Sequence, residues 1–171
     1  GIERQARSKN LPKPLPKPLP SKLPVVLRLC KMAKPAKAAS DSAAAIAVIY
    51  NGNVLLAKRI KNCYITGKPM PYGGYWSILG GTMDEGETPK ECALRELKEE
   101  ADLDLDPKKV KFLKKIPENK TKFYIYYCKL SEIPTITLNP EHTEYGFFSI
   151  DSLSSFPYLI DDKVVDAVQE I

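Results

Sequence analysis

Residues 81–103 read GTMDEGETPKECALRELKEEADL, and they are the most informative segment of the chain for predicting its fold. Its second half carries the signals of a well-capped helix. Thr88 supplies an N-cap hydroxyl, Pro89 suits the first helical position, and Glu91 lies where its carboxylate can reach back to the cap N–H. The spacing therefore predicts a helix that begins at Pro89.

The predicted helix has an apolar side and an acidic side. At roughly 100° per residue, the apolar stripe comprises Ala93, Leu94, Leu97 and Ala101. The neighbouring arc carries Glu96, Glu99 and Glu100. Like charges at this spacing destabilise a helix by roughly 0.2–0.5 kcal/mol per pair, whereas Mg²⁺ or Mn²⁺ would bind the carboxylate oxygens. The residues alone leave two interpretations open, a metal site or a solvated acidic face offset by nearby basic side chains.

The whole spacing resembles a known signature. It reads Gly81, five residues, Glu87, seven residues, Arg95-Glu96-Leu97, one residue, Glu99-Glu100, two residues, Leu103. This is similar to the Nudix box of the MutT-like Nudix hydrolase family, with Asp102 in place of the usual Gly. Because a left-handed residue suits a helix C-terminus and Asp tolerates that conformation better than most residues, we expect the departure to affect only the helix end.

The resemblance implies a fold class and an activity. The expected fold is α+β, a Nudix-type α/β/α sandwich with a mixed central β-sheet, over residues 41–171. The expected activity is metal-dependent pyrophosphate hydrolysis with Mg²⁺ or Mn²⁺, in which water attacks phosphorus of a nucleoside diphosphate linked to another moiety. A nucleoside triphosphate, a nucleotide sugar, ADP-ribose, a dinucleoside polyphosphate and a capped RNA end all stay open as substrates. A homodimer is compatible with the resemblance, and so is a catalytically silent nucleotide- or RNA-binding module.

The resemblance also implies roles for particular residues. The metal ligands would be the Gly80 carbonyl, Glu96, Glu99 and Glu100. Gly81, Glu87 and Arg95 would anchor the loop of the box onto the helix. Catalysis would fall to Glu96 and Glu100, with Glu96 the first choice as base. Some members take the base from outside the box, and here Glu144 is the candidate, with Glu141 as its rival.

Residues before the box are candidates for substrate binding. Tyr75 and Trp76 could stack on a base, although an aromatic residue beside a strand commonly packs in a core. The segment 61–74 predicts a long loop, in which Lys61 and Lys68 could meet phosphates.

The remaining pattern predicts the other elements. Strands are expected at 43–50, 53–60, 110–116, 121–129 and 145–150, and a closing helix at 161–171. Asn51-Gly52 between the first two strands is a hairpin signal.

Composition and charge bound the remaining questions. The 171 residues, 43% hydrophobic and 27% charged, suit one core, and no apolar run approaches the 18 residues or so of a membrane span. The four cysteines are widely spaced and lack a CxxC pair, which predicts reduced thiols in a cytoplasmic protein.

The N-terminal segment differs from the rest of the chain. Residues 1–40 hold ten Lys or Arg and one acid, a net +9, while residues 41–171 carry a net −4. The repeat LPKPLPKPLPSKLP at 11–24 predicts an extended, disordered tail. A solvated extension, a nucleic-acid contact and a peptide-groove contact all stay open for this tail.

Overall fold

The computed structural model describes residues 42–70, 72–118, 121–157, 159 and 162–171. The predicted tail at 1–40 therefore lies outside the described residues. The strands are β1 Ala43–Tyr50, β2 Asn53–Arg59, β3 Trp76–Ser77, β4 Leu79–Thr82, β5 Lys111–Glu118, β6 Thr121–Leu130 and β7 His142–Ser149. The α-helices are α1 Pro89–Ala101 and α2 Asp162–Gln169, and short 3₁₀ helices occupy Pro107–Lys109 and Ile150–Ser155.

The strands form one mixed sheet with β1 near its centre. β1 runs parallel to β6 from the pair Ala43–Phe123 to the pair Tyr50–Leu130. Its other edge pairs antiparallel with β4 at its start and with β2 at its end. β2 then pairs with β3 and β7, while β5 lies at the far edge beside β6. The predicted mixed sheet is confirmed.

The two helices cover opposite faces of this sheet. Alternate side chains of β1 point to opposite faces, so Ala44, Ile46 and Val48 pack with α1 in one cluster. The intervening residues of β1 pack with α2, whose buried side chains are Val165, Ala167 and Val168. This is the α/β/α sandwich that the sequence predicted.

The hairpin between β1 and β2 is also confirmed. Asn51 and Gly52 both have a positive φ, 48° and 71°, which is the conformation that a two-residue hairpin turn requires. The predicted strands fall within a few residues of those observed, but β3 and β4 were not predicted. They are two and four residues long, too short for alternation to be visible in the sequence.

The cysteines depart from the prediction. Cys92 and Cys128 are buried free thiols, but Cys63 is disulfide-bonded, so the prediction of four reduced thiols is wrong at this position. Wide spacing along the chain does not limit which thiols the folded chain brings together. Within the described part of the chain, no helix is both long and apolar enough to cross a bilayer.

Candidate functional site

Helix α1 is fixed at both ends by its own side chains. Thr88 Oγ1 accepts the Glu91 N–H at 3.2 Å and Glu91 Oε2 accepts the Thr88 N–H at 3.1 Å, which confirms the predicted capping box. At the other end Asp102 is left-handed, with φ 50° and ψ 38°, and donates its N–H to the Lys98 carbonyl. Lys98 Nζ lies 2.8 Å from Asp102 Oδ1. The Asp that replaces the usual Gly thus takes the conformation expected of it.

Two consecutive glycines let β4 lie close to its neighbours. A Cβ at Gly81 would overlap the Glu96 carboxyl group, with Oε2 only 2.6 Å away. A Cβ at Gly80 would overlap the Ala44 carbonyl and lie 2.6 Å from Ala45 Cα. Any side chain at position 81 would therefore displace the Glu96 carboxylate.

Arg95 fastens the loop before α1 to the helix. Its Nε donates to Glu87 Oε1 at 2.6 Å, and its Nη2 donates to Glu87 Oε2 at 3.0 Å and to the Thr82 carbonyl at 3.1 Å. Glu87 Oε2 also accepts the Asp84 N–H at 2.9 Å. Burial raises the pKa of Glu87, but the hydrogen bonds from Arg95 and Asp84 outweigh it, so the pKa lies below its ordinary value. The loop is thereby held by a charged, bidentate pair.

The third nitrogen of the same guanidinium reaches the acidic side of the helix. Arg95 Nη1 donates to Glu96 Oε1 at 2.9 Å and to Glu99 Oε1 at 3.2 Å. The hydrogen bond to Glu87 is the largest cause of a raised Arg95 pKa, so this cation stays charged. Gly81 and Arg95 together fix the position of the Glu96 carboxylate.

A second buried cluster, which sequence reasoning missed in part, surrounds Glu100. Its four members are all less than a tenth exposed: Arg59, Glu100, Glu141 and His142. His142 Nε2 lies 3.9 Å from Glu100 Oε2. Burial lowers the Arg59 pKa, and the negative charges of Glu100 and Glu141 oppose that shift. Arg59 is therefore the cation that compensates these carboxylates.

Backbone bonds bring this second cluster together. Arg59 pairs with His142 across β2 and β7, the Ile60 N–H donates to the Glu141 carbonyl, and the Asn139 N–H donates to the Glu100 carbonyl. The sequence held one signal, because Arg59 follows Leu55 and Ala57 on the apolar, α1-facing side of β2. A charged residue on the apolar side of a strand indicates a buried ionised side chain.

The carboxylates of α1 suit a hard divalent cation in chemistry but do not form a closed metal site here. Glu96 and Glu100 are each 2% exposed, and carboxylate oxygens are the ligands that Mg²⁺ and Mn²⁺ prefer. Among the described residues, however, no three His, Cys, Asp or Glu side chains converge to hold a metal. Arg95 Nη1 bonds Oε1 of both Glu96 and Glu99, so a cation on these two oxygens would compete with the guanidinium.

The structure does not bring Glu144 to these carboxylates. Glu144 is 58% exposed and pairs with Lys58 Nζ at 3.3 Å. Its neighbour Tyr145 packs on the α1 side, so by alternation Glu144 points to the opposite face of the sheet. The buried Glu141 lies on the α1 side instead, close to Arg59 and thus to Glu100. On this geometry Glu141 replaces Glu144 as the candidate outside the helix.

Of the four residues predicted to contact substrate, two are buried and two are exposed. Trp76 is 7% exposed in the core on the α2 side, edge-on to Phe148 and Phe156, which is the packed alternative that the sequence left open beside base stacking. Tyr75 is buried and its carbonyl accepts the Arg59 N–H at 2.8 Å. Lys61 and Lys68 are exposed on the loop after β2, where an anion can reach them.

Comparison with known proteins identifies the family of this arrangement. The NUDIX domain model matches residues 41–167. A curated relative, the 8-oxo-dGTP diphosphatase of Proteus vulgaris, is 34% identical over 53 residues, which are 30% of this chain. The match covers 47% of that relative, about half its length.

Solved structures agree on the fold. The MutT NUDIX hydrolase from Burkholderia pseudomallei aligns with a TM-score of 0.59 and 22% identity, over 76% of this chain and 96% of that one. A bifunctional NMN adenylyltransferase/ADP ribose pyrophosphatase from Francisella tularensis, complexed with AMP and a Mn ion, aligns with a TM-score of 0.56 and 18% identity, over 78% of this chain and 41% of that one.

Proposed function

Since the chain belongs to the NUDIX family, we propose that it is a metal-dependent pyrophosphohydrolase acting on a nucleoside diphosphate linked to another moiety. The observation that carries the proposal is the pair of buried carboxylates on α1, Glu96 and Glu100. The names of the relatives, an 8-oxo-dGTP diphosphatase and an ADP ribose pyrophosphatase, support a phosphoric anhydride as the bond that is cleaved.

Buried carboxylates are costly unless something compensates them. Removing an ionised carboxylate from water carries a penalty of several kcal/mol, and groups in such surroundings occur often at functional sites. Glu96 is compensated by Arg95 and Glu100 by Arg59. A helix needed only for stability would carry apolar residues at these positions, as α2 does.

We assign the proton-accepting role to Glu96. Water attacks phosphorus as the P–O anhydride bond breaks, the proton of the water passes to the Glu96 carboxylate, and the phosphate on the far side leaves. Arg95 and Gly81 hold that carboxylate in one orientation.

The cation would be held by Glu99, Glu100 and the Gly80 carbonyl with Glu96, and Glu141 would be the additional carboxylate from outside the helix. The chemistry that Mg²⁺ or Mn²⁺ supplies when bound is charge neutralisation on the pyrophosphate. Because Arg95 Nη1 bonds Oε1 of Glu96 and Oε1 of Glu99 in this structure, a cation bound by these same oxygens would compete with Arg95 for them.

The substrate class is a nucleoside triphosphate, oxidised ones included, or a nucleotide sugar of the ADP-ribose type. Lys61 and Lys68 on the exposed loop after β2 are the proposed phosphate contacts. The Tyr75 carbonyl accepts the Arg59 N–H, which supports a role for the Tyr75 backbone in positioning Arg59.

A second candidate is a catalytically silent nucleotide-binding domain. The observation that favours it is the contact of Arg95 with two of the expected metal ligands, together with the lack of a convergent metal cluster among the described residues. All four glutamates of the box are nevertheless present, which supports turnover.

The test is phosphate release from a panel of nucleoside triphosphates, ADP-ribose and nucleotide sugars with Mg²⁺ or Mn²⁺, and with EDTA as a control. We expect metal-dependent cleavage that Glu100→Gln lowers by orders of magnitude, because it removes the charge of a proposed metal ligand. Glu144→Gln is the matched control, because it makes the same change on the other face, and its rate should stay near wild type.

Either of two results would contradict this proposal. Equal losses of rate in Glu100→Gln and Glu144→Gln would refute the assignment of the functional carboxylates to the α1 side of the sheet. Silence across the panel, from a folded protein that still binds Mn²⁺, would favour a capped-RNA substrate or the catalytically silent binding domain instead.

A further inference from the structure

The positive charge of residues 41–171 is concentrated in one hairpin. Residues 107–130, which span β5 and β6, hold eight lysines and one acid, a net +7. The rest of residues 41–171 holds eight basic and nineteen acidic side chains, a net −11. The hairpin is therefore a basic ribbon on an acidic domain.

An aromatic row lies on one face of this ribbon. Phe112 of β5 pairs with Tyr126 of β6, with ring centroids 5.7 Å apart. Phe112 is 55% exposed, more than any other large hydrophobic side chain among the described residues. Tyr124 lies two residues from Tyr126, on the same face and partly exposed.

Lysines flank the row on the same face. Lys115 Nζ lies 5.6 Å from the centroid of the Tyr124 ring. Lys122 is exposed and shares the face by alternation. Lys109 acts electrostatically on Cys128, which packs on that side. We name this surface the aromatic–lysine face, defined by Lys109, Phe112, Lys115, Lys122, Tyr124 and Tyr126.

The aromatic–lysine face is separate from the carboxylates of α1. It lies on the α1 side of the sheet, but β5 and β6 are on one side of β1 whereas β4 and β2 are on the other. Those last two strands carry Gly81 and Arg59, which contact or compensate the carboxylates. A ligand on the aromatic–lysine face would therefore lie on the other side of β1 from Gly81 and Arg59.

We propose that the aromatic–lysine face binds single-stranded nucleic acid. Bases stack on exposed aromatic rings while lysines follow the phosphates, and this combination on a sheet suits an unpaired strand. Lysines on an edge strand such as β5 also protect it against pairing with other chains. That role explains the charge but not an exposed phenylalanine, because an apolar ring promotes such association.

The experiment measures fluorescence anisotropy of a labelled single-stranded oligonucleotide of about 12 nucleotides, within the usual range of such sites. The full chain is used in the presence of EDTA, so that binding is measured without metal-dependent hydrolysis. Every variant retains the basic residues 1–40, and differences among variants therefore report on the ribbon.

Three variants are compared with wild type. Phe112→Ala tests base stacking, Lys115→Glu tests phosphate contact, and Lys111→Glu is the matched control. Lys111 is an exposed lysine of β5 whose partner Tyr127 packs on the α2 side.

We expect Phe112→Ala to weaken binding by about fivefold to hundredfold, the effect of one lost base stack. Lys115→Glu should weaken it by about tenfold or more and reduce the slope of log affinity against log salt by about 0.7, one phosphate contact. Lys111→Glu should change affinity less than about threefold, since only its long-range charge is lost.

Three results would overturn the proposal. No change in Phe112→Ala would mean that the face attracts polyanions without recognising bases. Equal losses in Lys111→Glu and Lys115→Glu would mean diffuse attraction to the whole ribbon. Displacement of the oligonucleotide by poly-glutamate at the same charge concentration would point to an acidic protein partner. None of these results depends on nucleotide hydrolysis, so they are distinguishable from failure of the proposed activity.

Discussion

The two faces of the sheet bury different kinds of side chain. On the α2 side Trp76, Phe148 and Phe156 stack edge to face, and the helix contributes only aliphatic residues. The buried charges of the described residues lie on the α1 side, where Glu96 and Glu100 are compensated by Arg95 and Arg59. Both sides bury an apolar cluster, but buried charge costs stability, so the charges of the α1 side are the ones that the proposed chemistry would explain.

The largest effect expected from this division is a loss of rate on the α1 face. Glu96→Gln keeps the shape that fits against Gly81 but removes the proposed proton acceptor, so kcat should fall by about 10²–10⁴-fold. Steady-state kinetics with the preferred nucleotide, beside a thermal melt, measures both properties. Glu170→Gln makes the same change at the end of α2, where the carboxylate is exposed and pairs with Lys114, and it should leave kcat unchanged. Wild-type turnover in Glu96→Gln would refute the proposed role of Glu96, on the α1 side, as the proton acceptor.

The next effect is a loss of stability on the α2 face. Trp76→Ala removes a ring packed against Phe148 and Phe156, which should lower the free energy of unfolding by about 3–5 kcal/mol. Urea denaturation measures this loss, and the KM of the remaining folded protein should not change. A raised KM with stability intact would show instead that Trp76 contacts substrate.

A third effect concerns pH and the loop before α1. The Glu87 pKa is lower in the folded protein than its ordinary value of 4.5, so its carboxylate stabilises the fold above that pH and the contribution disappears as pH falls through the folded pKa. Glu87→Gln should therefore cost about 1.5–3 kcal/mol near neutral pH, the range of a charged hydrogen bond. The difference from wild type should narrow steadily below pH 4.5.

Melting temperatures from pH 3 to 7 would test this pH dependence. Glu85→Gln, at an exposed position in the same loop, is the matched control and should follow wild type throughout. A difference between Glu87→Gln and wild type that is independent of pH would mean that the shape of Glu87, and not its charge, holds the loop.

The smallest effect is expected at the end of α1. Asp102→Gly relieves the strain of a non-glycine residue in the left-handed conformation, which is worth roughly 1–2 kcal/mol. The same change adds conformational freedom to the unfolded chain and removes the exposed ion pair with Lys98. These terms nearly cancel, so the free energy of unfolding should change by less than about 1 kcal/mol in chemical denaturation. A larger loss would show that the ion pair, and not the backbone conformation, ends the helix.

The sequence predicted the helix well because its signals are local. The Thr88 cap, the apolar stripe and the Asp102 terminus all depend on residues within a few positions of one another. The same locality placed Glu96 and Glu100 on one side of α1. Strands β1 and β6 were equally visible, since β1 is a continuous apolar run and β6 an alternation rich in aromatic residues.

What the sequence did not predict depends on pairing between distant segments. The register of β2 and β7 shifts between Lys58 and Arg59, so that Lys58 pairs with Glu144 and Arg59 with His142. One extra residue in β7 reverses which side chains face α1. That irregularity aligns His142 with Arg59, and no local pattern records it, while the direction of Glu144 follows from its regular pairing with Lys58.

The parallel pairing of β1 with β6 also constrains how the chain folds during synthesis. Ala43 pairs with Phe123, 80 positions later, so the central seam of the sheet cannot close until β6 has left the ribosome. At about 5–20 residues per second, the hairpin of β1 and β2 waits for several seconds with one apolar edge unpaired. Contacts of such long range also slow folding. The nascent chain is therefore most prone to aggregation in this interval, before the domain is complete.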